Sequence, residues 1–137
     1  MIEARLAQQL KAAGLPWQPA EHDFFIMPDH NLDGQIFVVS GLPALVQNFG
    51  GQRTITFHGS IEWALDYVVL SEAVWLPTET QLREQLDVRL AGDALMRLER
   101  LAGGYRLLVG IGGEIHEFAS ASPAECYAHA LLEALAP

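Results

Sequence analysis

Basic residues are scarce in this chain: 8 Lys and Arg stand against 17 Asp and Glu, leaving a formal charge of −9 over 137 residues. The deficit runs along the whole sequence, with five acidic against two basic residues in 1–52 and four against one in 101–137. A field of that sign repels phosphate backbones and anionic headgroups, so neither nucleic acid nor a membrane surface is expected as a partner. Cysteine is nearly absent as well. Cys126 stands alone, which excludes an intramolecular disulfide and denies a zinc site its second thiol. No apolar run approaches the roughly 18 residues of a membrane span. The opening stretch MIEARLAQQLKAAG carries polar residues throughout and has no secretory apolar core. A cytoplasmic location is the expectation.

What the chain does contain is apolar. Half of it is AVILMFWYC and only 18% is charged, giving a mean hydropathy of +0.17. The length predicts a single domain over 1–137, long enough to bury a core unaided. The apolar excess implies either a large core or an apolar face kept for a partner.

Ile2, Leu6, Leu10 and Ala13 recur at helical spacing, and Gly14 with Pro16 ends that helix. DFFIM, QIFVVS, ALVQNF and RTITFH follow as β-rich runs separated by PDHNLDG, GLP and GGQ, which are turn sequences. They predict an antiparallel meander of three or four strands. SIEWALDYV, with Ser60 as N-cap, reads as a short helix, and EAVWL as a brief strand. Thr78 and Gln81 form a capping box for ETQLREQLDVRL, whose stripe is Leu82, Leu86 and Leu90. ALMRLERL, YRLLVGI and EIHEFAS predict a second, three-stranded meander. A final helix starts at Ser122 and Pro123, with Glu125 reaching back, and buries Ala124, Tyr127, Ala128, Leu131 and Leu135. The fold class is therefore α+β: N-terminal helix, antiparallel meander, central helices, three-stranded meander, C-terminal helix.

Few residues suggest chemistry. Asp29, Asn31, Asp33 and Gly34 have the spacing that opens a calcium loop, but its closing position is Ser40, which has no bidentate carboxylate. The flanks also read as strands where the motif needs helices. A turn at Asp33-Gly34 accounts for the same residues through its positive φ angles, with weak calcium binding as the alternative. Gly110 to Gly113 lead into a strand, whereas a phosphate cradle leads into a helix. Cys126 and His129 are spaced as half a zinc site with no second half. His116 and Glu117 fall on opposite faces of one strand. His22, His30 and His58 lie in or beside turns. Glu62 and Asp66 are four apart and would share one helical face as an acid–base pair, with Trp63 and Trp75 as apolar walls. No metal, cofactor or catalytic residue is expected.

Two stretches carry a resemblance: FHGSIEWALDYVVLSEAVWLPTETQLREQL (57–86) and, upstream, HDFFIMPDHNLDGQIFVVS. They resemble a family of small actinobacterial and deinococcal proteins, often named pilus assembly proteins of the Cpa type. That family's core runs F-N-G-T-x-E-W-A-L-D and then W-L-P-x-E-x-Q-L-R. Phe57, Gly59, Glu62, Trp63, Ala64, Leu65 and Asp66 match the first part; Trp75, Leu76, Pro77, Glu79, Gln81, Leu82 and Arg83 match the second. His58 and Ser60 stand where the family has Asn and Thr. The resemblance spans roughly residues 5–110 and implies no catalytic residues. The size, acidity and element order are also similar to class I secretion chaperones, which are α+β homodimers. The closing β-β-β-α outline resembles double-stranded-RNA-binding domains, whose last helix grips phosphates through basic residues. Here no Lys or Arg follows Pro123.

The expectation is a non-catalytic protein-binding or adaptor module, dimeric and chaperone-like, joined to a protein partner or to its own copy. Its alternative is a small ligand-binding domain or enzyme with a pocket near Glu62, Trp63, Asp66 and Trp75.

Overall fold

A computed structural model of the chain describes residues 1–28, 34–39, 44–49, 52–57 and 67–137, with side chains described for 1–28, 34–39 and 70–137. The chain folds as two compact units, one made of Met1–Leu15 with Pro77–Pro137, the other of Pro16–Leu76. The α+β class is the observed one: three helices and antiparallel three-stranded sheets among the described residues.

In the first unit, α1 spans Ala4–Ala12 and buries Leu6, Ala7 and Leu10. Ile2, ahead of it, is buried too, whereas Ala13 is exposed. The helix ends because Gly14 takes φ +97, a conformation that costs glycine nothing. Helix α2 spans Glu79–Asp87 with the expected capping box. The Thr78 hydroxyl accepts from the Gln81 N–H at 3.3 Å, and the Thr78 N–H donates to Gln81 Oε1 at 2.9 Å. Leu82 and Leu86 are fully buried. The helix stops short of Leu90, where the Arg89 guanidinium donates to the Gln85 carbonyl at 2.7 Å, a cation satisfying the carbonyl end of a helix.

Strands β7 (Met96–Leu101), β8 (Gly104–Ile111) and β9 (Glu114–Ser120) form the expected three-stranded meander, in the order β7-β8-β9. Gly112 and Gly113 join β8 to β9 with φ +61 and +85, the positive pair a two-residue hairpin of matching twist requires. Register aligns Leu98, Leu107 and Phe118 in one row and Met96, Val109 and His116 in the next. Leu107 and Val109 are fully buried, so this face is the covered one. Helix α3, Pro123–Leu135, packs on β8 and β9 and also meets α1 and α2. Its N-cap is Ser122, whose hydroxyl accepts from the Glu125 N–H at 3.3 Å. The Glu125 carboxylate accepts from the Ser120 hydroxyl at the end of β9. Cys126 and Ala130 join Ala124, Tyr127, Ala128 and Leu131 in the buried sector, while Leu135 is half-buried. The sector is wide because α3 is faced by helices and sheet together.

The opposite face of this sheet carries a lattice of charges beside exposed Leu101 and Ile115. Arg106 Nη2 lies 2.5 Å from Glu99, Arg106 Nη1 3.7 Å from Glu117, and Arg97 3.8 Å from Glu99. Gly104 shows how tightly β8 and β9 meet. A Cβ there would sit 2.7 Å from the Ser120 carbonyl oxygen, whereas one at Gly110 finds nothing nearer than 3.4 Å. Gly104→Ala is therefore expected to lower stability by about 1–3 kcal/mol and Gly110→Ala by much less. Urea denaturation of the two variants side by side checks this.

The second unit holds two small sheets. β1 (Phe24–Ile26), β2 (Phe37–Val38) and β6 (Val74–Leu76) pair in the order β2-β1-β6. β3 (Ala44–Phe49), β4 (Gln52–Phe57) and β5 (Tyr67–Val69) pair in the order β3-β4-β5. The four sequence-predicted strands thus belong to two sheets, and EAVWL, after a 3-10 turn at Leu70–Glu72, returns to pair with β1. Hydrophobic pattern identifies strands but not their partners, and the β1–β6 pairing spans about fifty residues of chain. Of the helix expected over 60–68, residues 60–66 lie outside the described residues, and Tyr67–Val69 is strand. The residue types Tyr-Val-Val favour strand over helix. Phe25, Met27, Val39 and Ala73 form this unit's core, with Trp17, Phe37 and Leu70 packed against it.

Candidate functional site

Of the four residues expected to line a ligand pocket, Glu62, Trp63 and Asp66 lie outside the described residues. Trp75 is in β6, directly opposite Phe25, which is opposite Phe37 in turn. A cross-strand aromatic row results, of the kind that stabilises sheets. Trp17 stacks on Trp75 with centroids 6.3 Å apart and planes 6° off parallel, and lies 5.8 Å from Phe25. The Trp17 indole donates to Asp23 Oδ2 at 2.9 Å, and the Ala20 N–H donates to the same oxygen at 3.0 Å. Asp23 is only 4% exposed; its carboxylate fastens the turn before β1, where His22 takes φ +73. The Trp75 Nε1–H is buried and unpartnered among the described residues. Packing accounts for the position of Trp75. Trp17 and Asp23 do as much as Trp75 to build this cluster, yet they give no sequence signal, because they sit between turn residues with no periodic pattern.

The turn at Asp33-Gly34 is placed only in part. Asp29, His30, Asn31, Asp33 and Ser40 lie outside the described residues. Gly34 takes φ +81, the left-handed conformation that such a turn favours. Among the described residues no group of three or more His, Cys, Asp or Glu side chains is placed to hold a metal ion. Cys126 and His129 diverge: the thiol is buried and 3.7 Å from the Tyr105 carbonyl, while the imidazole is exposed. Burial pushes the Cys126 thiol above its ordinary pKa, and burial does the same to the Tyr127 phenol. Neither group is primed to ionise. His116 lies on the α3 side of β9, stacked on Phe118 at 6.4 Å, and Glu117 on the other with Arg106. Glu99 is held below the usual carboxylate range, first by its hydrogen bond to Arg106. These charges form a lattice on the sheet surface.

A different concavity is present in the first unit. An open groove of about 540 Å³ runs between the edge of β9 and the flank of α3, lined by Glu117, Phe118 and Ala119 on one wall and His129, Leu132 and Glu133 on the other. The two walls are consecutive residues of a strand and one stripe of a helix, brought together because α3 turns back over the sheet at Ser120–Ser122. β9 has no second strand neighbour among the described residues. Ile111 and Glu114 flank the two-residue turn as a hydrogen-bonded pair, so by alternation Ile115, Glu117 and Ala119 aim their N–H and C=O outward, at the groove side. The groove thus offers unpaired backbone, apolar side chains of Phe118 and Leu132, and the carboxylate of Glu133. Ile115, 62% exposed, extends the edge. None of this was legible in sequence, although an exposed Ile in the alternating run EIHEF was a signal that the strand's outer face is not purely solvated.

Compared with protein-family models, curated proteins and solved structures, the chain matches none.

Proposed function

We propose that this protein is a non-catalytic binding module that takes an extended, basic segment of a partner protein along the free edge of β9. The observation that carries the proposal is the groove itself, an open strand edge beside a helix with an apolar floor. Added strands gain affinity from main-chain hydrogen bonds and specificity from alternate side chains entering a flanking groove. Here Phe118 and Leu132 would take an apolar residue, and Glu133 the Lys or Arg beside it. The net charge of −9 adds steering toward such a segment. The similarity to class I secretion chaperones, which are acidic protein-binding modules, favours the same reading.

The test is fluorescence polarisation with a labelled peptide that alternates Arg with Val, set against the same peptide with Glu in place of Arg. The Arg peptide is expected to bind at least about tenfold tighter, a difference of about 1.4 kcal/mol. Ala119→Pro should abolish binding while leaving the sheet intact, because the lost N–H points away from β8. Equal binding of both peptides, or undiminished binding to the Pro variant, would remove the proposal.

A further inference from the structure

The other edge of the same sheet has a property β9 lacks. Strand β7, Met-Arg-Leu-Glu-Arg-Leu over 96–101, is complementary to itself. Its inward hydrogen-bonding positions are fixed by the Gly110 N–H, which donates to the Leu95 carbonyl at 2.9 Å. By alternation Arg97, Glu99 and Leu101 bond to β8, and Met96, Leu98 and Arg100 present their N–H and C=O groups outward. A second β7 running antiparallel can use those groups only in a few registers. Centring the pair on Arg97 sets Arg against Arg, and centring it on Glu99 sets Glu against Glu. Centring it on Leu98 sets Arg97 against Glu99 of the other copy on both sides of the two-fold axis. The outward groups of Leu98 then bond to their own counterparts, and Met96 bonds to Arg100. Opposite charges facing across strands are favourable, and like charges unfavourable.

We propose that this chain forms a two-fold homodimer through β7, with Leu98 on the axis. This pairing is independent of what occupies the β9 groove. The surface fits it. Leu98 and Leu101 are exposed, at 36% and 44%, and Arg97 is 60% exposed and reaches its own Glu99 only at 3.8 Å, leaving it free to turn toward the other copy. Pairing joins the two three-stranded sheets into one continuous sheet, and extends the Arg97–Glu99–Arg106–Glu117 lattice across the axis. β9 has no such match: centred on Glu117 it sets Glu against Glu, and centred on His116 or Phe118 it still brings no Lys or Arg opposite Glu117, because the strand contains none. One edge is thereby suited to a copy of the chain and the other to a different partner.

Light scattering on the full chain at tens of micromolar is expected to give about twice the monomer mass of 15.0 kDa, falling toward the monomer at high salt as the paired charges are screened. Leu98→Pro removes only an outward N–H, so it should yield a monomer with unchanged circular dichroism. Cysteine substitution reads the register without depending on that variant. Across a hydrogen-bonded antiparallel pair the Cα atoms lie about 5.5 Å apart, within disulfide range, so Leu98→Cys should give a covalent dimer on mild oxidation. Ile115→Cys on β9, which is more exposed, should not; the native Cys126 is buried. A 15.0 kDa particle at these concentrations, or cross-linking at 115 in preference to 98, would overturn the proposal.

Discussion

Phe25→Ala is expected to destabilise the second unit by about 3–5 kcal/mol. Phe25 is fully buried and is the middle ring of the cross-strand row, 5.4 Å from Phe37 and 5.8 Å from Trp17. Removing it deletes the apolar contact and leaves a cavity that three short strands cannot close. β1 has only three residues and β2 two, so these strands contribute few backbone hydrogen bonds, and side-chain packing holds the sheet. Domains of this kind are stable by about 5–15 kcal/mol, so one such loss exposes most of the margin. Urea denaturation read by tryptophan emission checks it, because Trp17 and Trp75 lie in the same cluster. Phe25→Leu should recover most of the loss. An Ala variant as stable as the parent would mean that the aromatic row is not the core of that unit.

The second large effect belongs to α3. Leu131→Ala is expected to cost about 2–5 kcal/mol, whereas Leu132→Ala, one residue on, should cost much less. Leu131 is fully buried, on a helix that packs against α1, α2, β8 and β9 together. Leu132 is half-buried and floors the groove. Thermal unfolding by circular dichroism separates the two, and peptide binding should show the reverse order, with Leu132→Ala the more damaging. A Leu132 variant that loses stability as Leu131 does would mean that the groove floor is core.

The helices and their ends were legible because their causes are local. Thr78 and Gln81 satisfy each other's backbone groups within one turn, Ser122 and Pro123 prepare the next helix, and Gly14 ends the first by taking a conformation other residues avoid. The β7–β8–β9 meander was legible for the same reason: the Ala102-Gly103 and Gly112-Gly113 turns are short enough to force neighbouring strands to pair. Of the four residues expected at a pocket, Trp75 alone lies among the described residues. Its neighbours in space, Trp17 and Phe25, are 58 and 50 positions away in the chain, too far for any local pattern to join them.

Local pattern by itself determined the α+β class, the starts of α2 and α3, the three-stranded meander, and a charge that repels polyanions. Tertiary structure decided that β1 takes β6 as its second neighbour and that β2 and β3 fall in separate sheets, because strand pairing over long loops depends on packing energies that alternation does not encode. It also decided which edges stay open. The sequence of β9 specifies a strand, but only the return of α3 beside it turns that strand's free backbone into the wall of a groove. The charges of β7 are written in its sequence, yet their meaning depends on which alternate residues β8 has already engaged.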